Sequence, residues 1–213
     1  MLKAVWIPSG PFWKRWWYRL KPPREPAGFV PVVGPPPWAG PPESEIGVAV
    51  PVRATLHSTP DLVIALIDLV AFSNGFEFRI ALRSKNSIEP RSMGFGPPGG
   101  HHESLEVEIG FADGRSGKSP ASQPSVEVLN YYQEAREGRE PELPAGPVIG
   151  LGSGGGGGRR WDFQWWVWPL PPDGPVTLLC RWPAGKIVTK SLELDGAAIR
   201  RAGAESKDLW KGE

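Results

Sequence analysis

The chain is short of the residues on which most site chemistry depends. Its 213 residues include a single cysteine, Cys180, and three histidines. One cysteine excludes an intramolecular disulfide framework and fits a reducing compartment. No run of about 18 apolar residues occurs, so no transmembrane helix is expected. The N-terminus "MLKAVWIPSGPFWKRWWYRL" lacks the unbroken apolar stretch of a signal peptide, being cut by Pro8, Pro11 and the Lys14–Arg15 pair. A formal net charge of +1 advertises neither nucleic acid nor an acidic partner. No Gly-x-Ser-x-Gly elbow surrounds a serine, and nothing resembles His-Glu-x-x-His. The expectation is a cytoplasmic, non-catalytic protein with no cofactor.

What the chain has in excess is glycine and proline, 27 and 26 residues. They concentrate in residues 1–45, 94–100 and 144–158. Residues 1–45 stand apart as a Pro/Trp-rich basic extension, because so many prolines forbid a long helix. Trp13, Trp16 and Trp17 in "FWKRWWYR" could lie on a membrane surface, but an amphipathic helix needs more length than the prolines leave. The other readings are a strap over the following domain, an unstructured extension, or a leader translated from upstream of the true start.

From Ile46 the pattern turns to period two, the spacing of strands. "IGVAVPVRATLH" alternates, with Pro51 marking an edge strand or bulge. "DLVIALIDLVAF" is apolar on both faces, as a central strand is. Its one ionisable core-like residue, Asp68, needs a partner or an edge. Asn74-Gly75 predicts a tight hairpin through positive φ, leading into the alternating "FEFRIALR". "LEVEIGFADGR" alternates likewise up to Asp113-Gly114. Residues 113–158 read mostly as loop, with a short helix in "VEVLNYYQEAREG". "RRWDFQWWVW" and "VTLLCRW" are further strands, "KIVTKSLELDG" a last one, and "AAIRRAGAESKDLW" holds a short helix before a tail over 201–213. Roughly eight short strands without βαβ alternation predict an all-β antiparallel sandwich over residues 46–200. Immunoglobulin-like connectivity is the specific version expected, although strand order cannot be derived from the sequence.

"PVIGLGSGGGGGRRWDFQWWVWPLPP" contains Gly150-x-Gly152-x-x-Gly155, the opening of a dinucleotide-binding turn. That motif works only where its last glycine starts a helix whose N-terminus meets the pyrophosphate. Here glycine continues to Gly158, then a Trp-rich strand follows, and the Walker pattern fails at Arg159. The run reads as a flexible joint.

The aromatic strand after it should bury Trp161, Phe163 and Trp165. Trp166 and Trp168 then fall on its other face, where three readings stay open: cover by the N-terminal segment, a partner or homo-oligomer interface, or a stacking platform for sugar or another small molecule. The partner-binding candidates are therefore Trp166, Trp168, Trp13, Trp16 and Trp17. A metal-dependent hydrolase around His101, His102 and Glu103 is the remaining alternative, but adjacent strand residues point to opposite faces and no ligand spacing is met. Cys180 alternates with core positions and reads as an inert buried thiol.

"PPWAGPPE", "NGFEFRIALR", "RRWDFQWWVWPLPPDGPVTLLCRWPAGKI" and "LELDGAAIR" together resemble a group of uncharacterised proteins from high-GC actinobacteria, over roughly residues 36–200. The resemblance implies a bacterial cytoplasmic protein and carries no functional residue. Members of that group begin near "PPWAGPPE", which favours the upstream-leader reading of residues 1–35.

Overall fold

The computed structural model describes residues 34–95, 104–120 and 125–210. Trp13, Trp16, Trp17, His101, His102 and Glu103 lie outside the described residues. The chain divides into Met1–Gly34 and Pro35–Glu213, and the second unit is the one described below. It therefore starts before Ile46, the boundary read from composition, and takes in the end of the Pro-rich segment.

In chain order the strands are β1 (Glu45–Ile46), β2 (Val48–Ala49), β3 (Ala54–Ser58), β4 (Leu62–Ala71), β5 (Phe76–Ser84), β6 (Glu106–Gly110) and β7 (Ser116–Pro120). Helix α1 (Val126–Arg136) precedes β8 (Val148–Gly157), β9 (Arg160–Trp168), β10 (Pro175–Trp182), β11 (Ile187–Val188) and β12 (Leu192–Asp195). Helix α2 (Gly196–Ala204) and β13 (Lys207–Asp208) are the last elements among the described residues. The larger sheet has the order β2-β4-β5-β9-β8, with β3 also on β4; the smaller runs β11-β10-β6-β7, with β12 also on β10. β1 and β13 form a separate ribbon. Every pairing is antiparallel. This is the all-β sandwich expected from the alternation. In its connectivity β3, β4 and β5 follow one another within the larger sheet before the chain passes to β6 of the smaller one.

The core lies between the two sheets and follows the period-two pattern. Phe76, Phe78, Ile80 and Leu82 of β5, and Trp161, Phe163, Trp165 and Val167 of β9, are all buried in it. They meet Val107 and Ile109 of β6 and Val176, Leu178 and Cys180 of β10. Phe78 stacks on Trp165 at 5.7 Å, and Trp165 continues to Phe163 and Trp161. Each ring removes roughly 150–250 Å² from water, so this row is a principal source of stability. In β4 the inward set shifts from Ile64 and Leu66 to Leu69 and Ala71. A bulge between Leu66 and Asp68 makes that shift and brings Asp68 into register with Arg79 of β5. Cys180 is buried, and desolvation pushes its thiol up to about 12, as an inert core thiol requires.

Other sequence expectations are corrected. The segment 113–158 is not mostly loop: β7, α1 and β8 all lie in it. "KIVTKSLELDG" forms two strands rather than one, both beside β10, with Thr189 Oγ1 between them accepting from the Cys180 amide at 3.0 Å. The tail over 201–213 contains the end of α2 and all of β13. Asn74-Gly75 does turn the chain from β4 to β5, but neither residue adopts positive φ. Gly75 is needed for space, since a Cβ there would run into the Val167 carbonyl and come within 2.6 Å of the Trp166 ring.

Candidate functional site

The outer face of β9 carries the residues singled out by the sequence. Trp166 is 2% exposed. Above it sits Trp38, held in a turn closed by Ala39 N–H donating to the Pro36 carbonyl at 2.9 Å. The Trp166 indole donates to the Trp38 carbonyl at 2.9 Å, and Phe72 meets its ring at 5.9 Å. Asn74 pins the strap from below, its amide donating to the carbonyls of Pro37 and Gly40. Trp38 is itself buried, lying 6.2 Å from Trp168 and 6.1 Å from Tyr131 of α1.

The two tryptophans thus have different fates. Trp166 is enclosed by its own chain and has no free face to offer a partner. Trp168 remains half-buried, as are Tyr131, which also meets Trp38, and Tyr132 against Tyr131. Cover by the Pro/Trp-rich segment was one of the three readings of this face, but Trp38, which supplies it, was not singled out by the sequence.

Beyond Trp166 the same face is polar and internally paired. Gln164 donates to Glu77 at 2.7 Å and accepts from Arg79 at 3.4 Å. Burial raises the Glu77 carboxyl above its ordinary range and nearby Asp68 adds to the rise, with Gln164 and Arg79 opposing it. Asp162 is partly buried, which works against its charge, but Arg83 at 2.7 Å and Arg160 at 3.1 Å outweigh that and hold its carboxyl low. These carboxylates serve as cross-strand partners. Among the described residues, no group of three His, Cys, Asp or Glu side chains could hold a metal.

The glycine run is the largest correction. It is the strand β8, paired with β9 from Val148↔Trp168 to Gly157↔Arg160, and not a flexible joint. A two-residue turn closes the hairpin, with Gly158 at φ +56 as its first central residue. Inside the strand, glycine makes room for its neighbour: a Cβ on Gly154 would lie 2.8 Å from the Phe163 ring. At Gly155 and Gly157 a Cβ would meet nothing within 4 Å. With β9 following directly, no helix N-terminus faces the glycines, and the dinucleotide reading keeps no support.

β8 is the outermost strand of the larger sheet, and residues 152–157 are exposed. The direction of its backbone groups follows from β9. The Ser84 amide donates to the Arg159 carbonyl at 3.0 Å, so Trp161 and Phe163 pair toward β5, and Arg160, Asp162 and Gln164 pair toward β8. Opposite them, Gly157, Gly155 and Ser153 turn inward to β9, and Gly154 and Gly156 direct their N–H and C=O groups outward.

The other sheet edges are protected in the ways edges usually are. β2 has two residues and β3 five, with Pro51 between them and a bulge between Thr55 and His57. β7 has five residues, with Lys118 inside and Pro120 at its end. β11 and β12 have two and four. β8 has ten, with neither proline nor charge. β7 reaches its beginning, where Gly117 lies against Pro147 and Ile149.

No family model, curated protein or solved structure matches the chain.

Proposed function

We propose that the chain is a non-catalytic β-sandwich module that acts by protein contact, made along the open edge of β8. The observation that carries this reading is the contrast between edges: β8 alone, among the described residues, is long, exposed and without a guarding charge, proline or bulky side chain over 152–157. Such an edge receives an extended segment by adding a strand, with affinity supplied by main-chain hydrogen bonds. Trp166, enclosed under Trp38, no longer supports a contact over the aromatic face.

A peptide-display library panned against the purified chain tests the reading. Recovered peptides are expected to be extended and β-branched, to lose at least tenfold in affinity on Gly155→Lys, and to be indifferent to Trp168→Ala. Peptides insensitive to residue 155 would count against it.

One observation favours a second reading, the half-buried rings of Trp168 and Tyr131, which both pack against Trp38. Rings held this way offer a stacking surface for a sugar. A glycan array probed with wild type and Trp168→Ala decides that case, since binding that survives the substitution excludes it.

A further inference from the structure

Resting on that reading, we infer that the strand added at the β8 edge is β8 of a second copy of this chain, paired antiparallel about a two-fold axis through Gly155. A strand can pair with itself in this way only if each residue tolerates its facing partner. With the axis at Gly155, Gly154 faces the partner's Gly156, Gly155 faces the partner's Gly155, and Ser153 faces the partner's Gly157.

The hydrogen-bonding parity fits. Gly154 and Gly156, the residues whose backbone groups point outward, face one another, giving about four main-chain hydrogen bonds across the axis. The steric fit is as good. Gly155 and Gly157 have open space where side chains would be, and the largest side chain at the centre is the Ser153 hydroxymethyl.

The charges also permit it. The nearest cations, Arg159 and Arg160, sit at the turn end of the hairpin. The two turns of a dimer lie on opposite sides of the axis, ~20 Å apart at a strand rise of ~3.4 Å per residue. That exceeds the screening length of ~8 Å at physiological salt. An extended peptide from another protein would satisfy the same backbone groups, but nothing at this edge selects its side chains. Self-pairing needs no such selection.

Light scattering on the full chain between about 10 µM and 1 mM tests the inference. Wild type is expected to rise with concentration toward twice the 23.2 kDa chain mass. Gly155→Lys and Gly155→Glu, each placing like charges face to face, are expected to stay monomeric while remaining folded, although Asp162 across the hairpin shifts their melting temperatures in opposite directions. An equimolar mixture of the two is expected to dimerise again, because Lys then faces Glu. Gly155→Ala keeps the dimer and shows that the charge is responsible.

Wild type that remains monomeric overturns the inference, as does a dimer that Gly155→Lys leaves intact or a mixture that fails to reassociate. If wild type is monomeric yet library peptides bind in a residue-155-dependent way, the edge-contact reading stands without self-pairing. Failure of both measurements removes both.

Discussion

Trp166→Ala is expected to destabilise the folded chain by about 3–5 kcal/mol, as truncation of an enclosed aromatic does. Its ring is 2% exposed, wedged between Trp38 and Phe72. Truncation opens a cavity beneath the strap, and the Trp38 carbonyl loses the indole that donates to it. Trp168→Ala, one pleat along the same face but half-buried, is expected to cost about 1 kcal/mol. Urea denaturation of both variants by intrinsic fluorescence checks the pair. Equal small losses would mean that the strap does not close over Trp166, and the aromatic face would return as a contact surface.

The second large effect is expected at Gly156. A Cβ there would overlap the Arg160 carbonyl oxygen and approach the Trp161 Cα to 2.7 Å, both of them backbone atoms fixed by the hairpin. Its φ of +155 adds strain for any side chain. Gly156→Ala should therefore cost about 3 kcal/mol from overpacking and backbone strain together. Gly155→Ala and Gly157→Ala, with open space and ordinary φ, should be neutral or stabilise by up to about 1 kcal/mol, because alanine narrows the unfolded ensemble. Thermal melts of the three variants separate an ordered strand from a loose linker. In a linker the three glycines would behave alike.

The fold was legible wherever side chains alternate. β5 and β9 were read nearly residue for residue, because Phe76 to Leu82 and Trp161 to Val167 each bury every second side chain. Reading failed where a strand is specified by its partner instead of by its own residues. β8 has almost no side chains to alternate, and low strand propensity hid it; the Phe163 ring and the Arg160 carbonyl across the hairpin are what require glycine at 154 and 156. Gly75 misled in a similar way, since its turn uses glycine for clearance beside Val167 and Trp166 and not for positive φ.

The candidate site was half legible. The alternation of β9 put Trp166 and Trp168 on the outer face, and a covering Pro/Trp segment was among the expectations. Which of the two would be covered depends on the Trp38–Trp166 hydrogen bond, a contact between residues 128 apart that no local pattern reveals. The open edge could not be read at all, because being an edge is a property of strand order.

The central claim is that β8 is an ordered strand with one bare side, and amide exchange resolved at single glycines tests it most directly. In dilute solution Ser153, Gly155 and Gly157 should be protected by β9, whereas Gly154 and Gly156 exchange fast and slow only as protein concentration rises. Fast exchange at all five would contradict the strand, and slow exchange at all five in the dilute sample would mean that the edge is already covered.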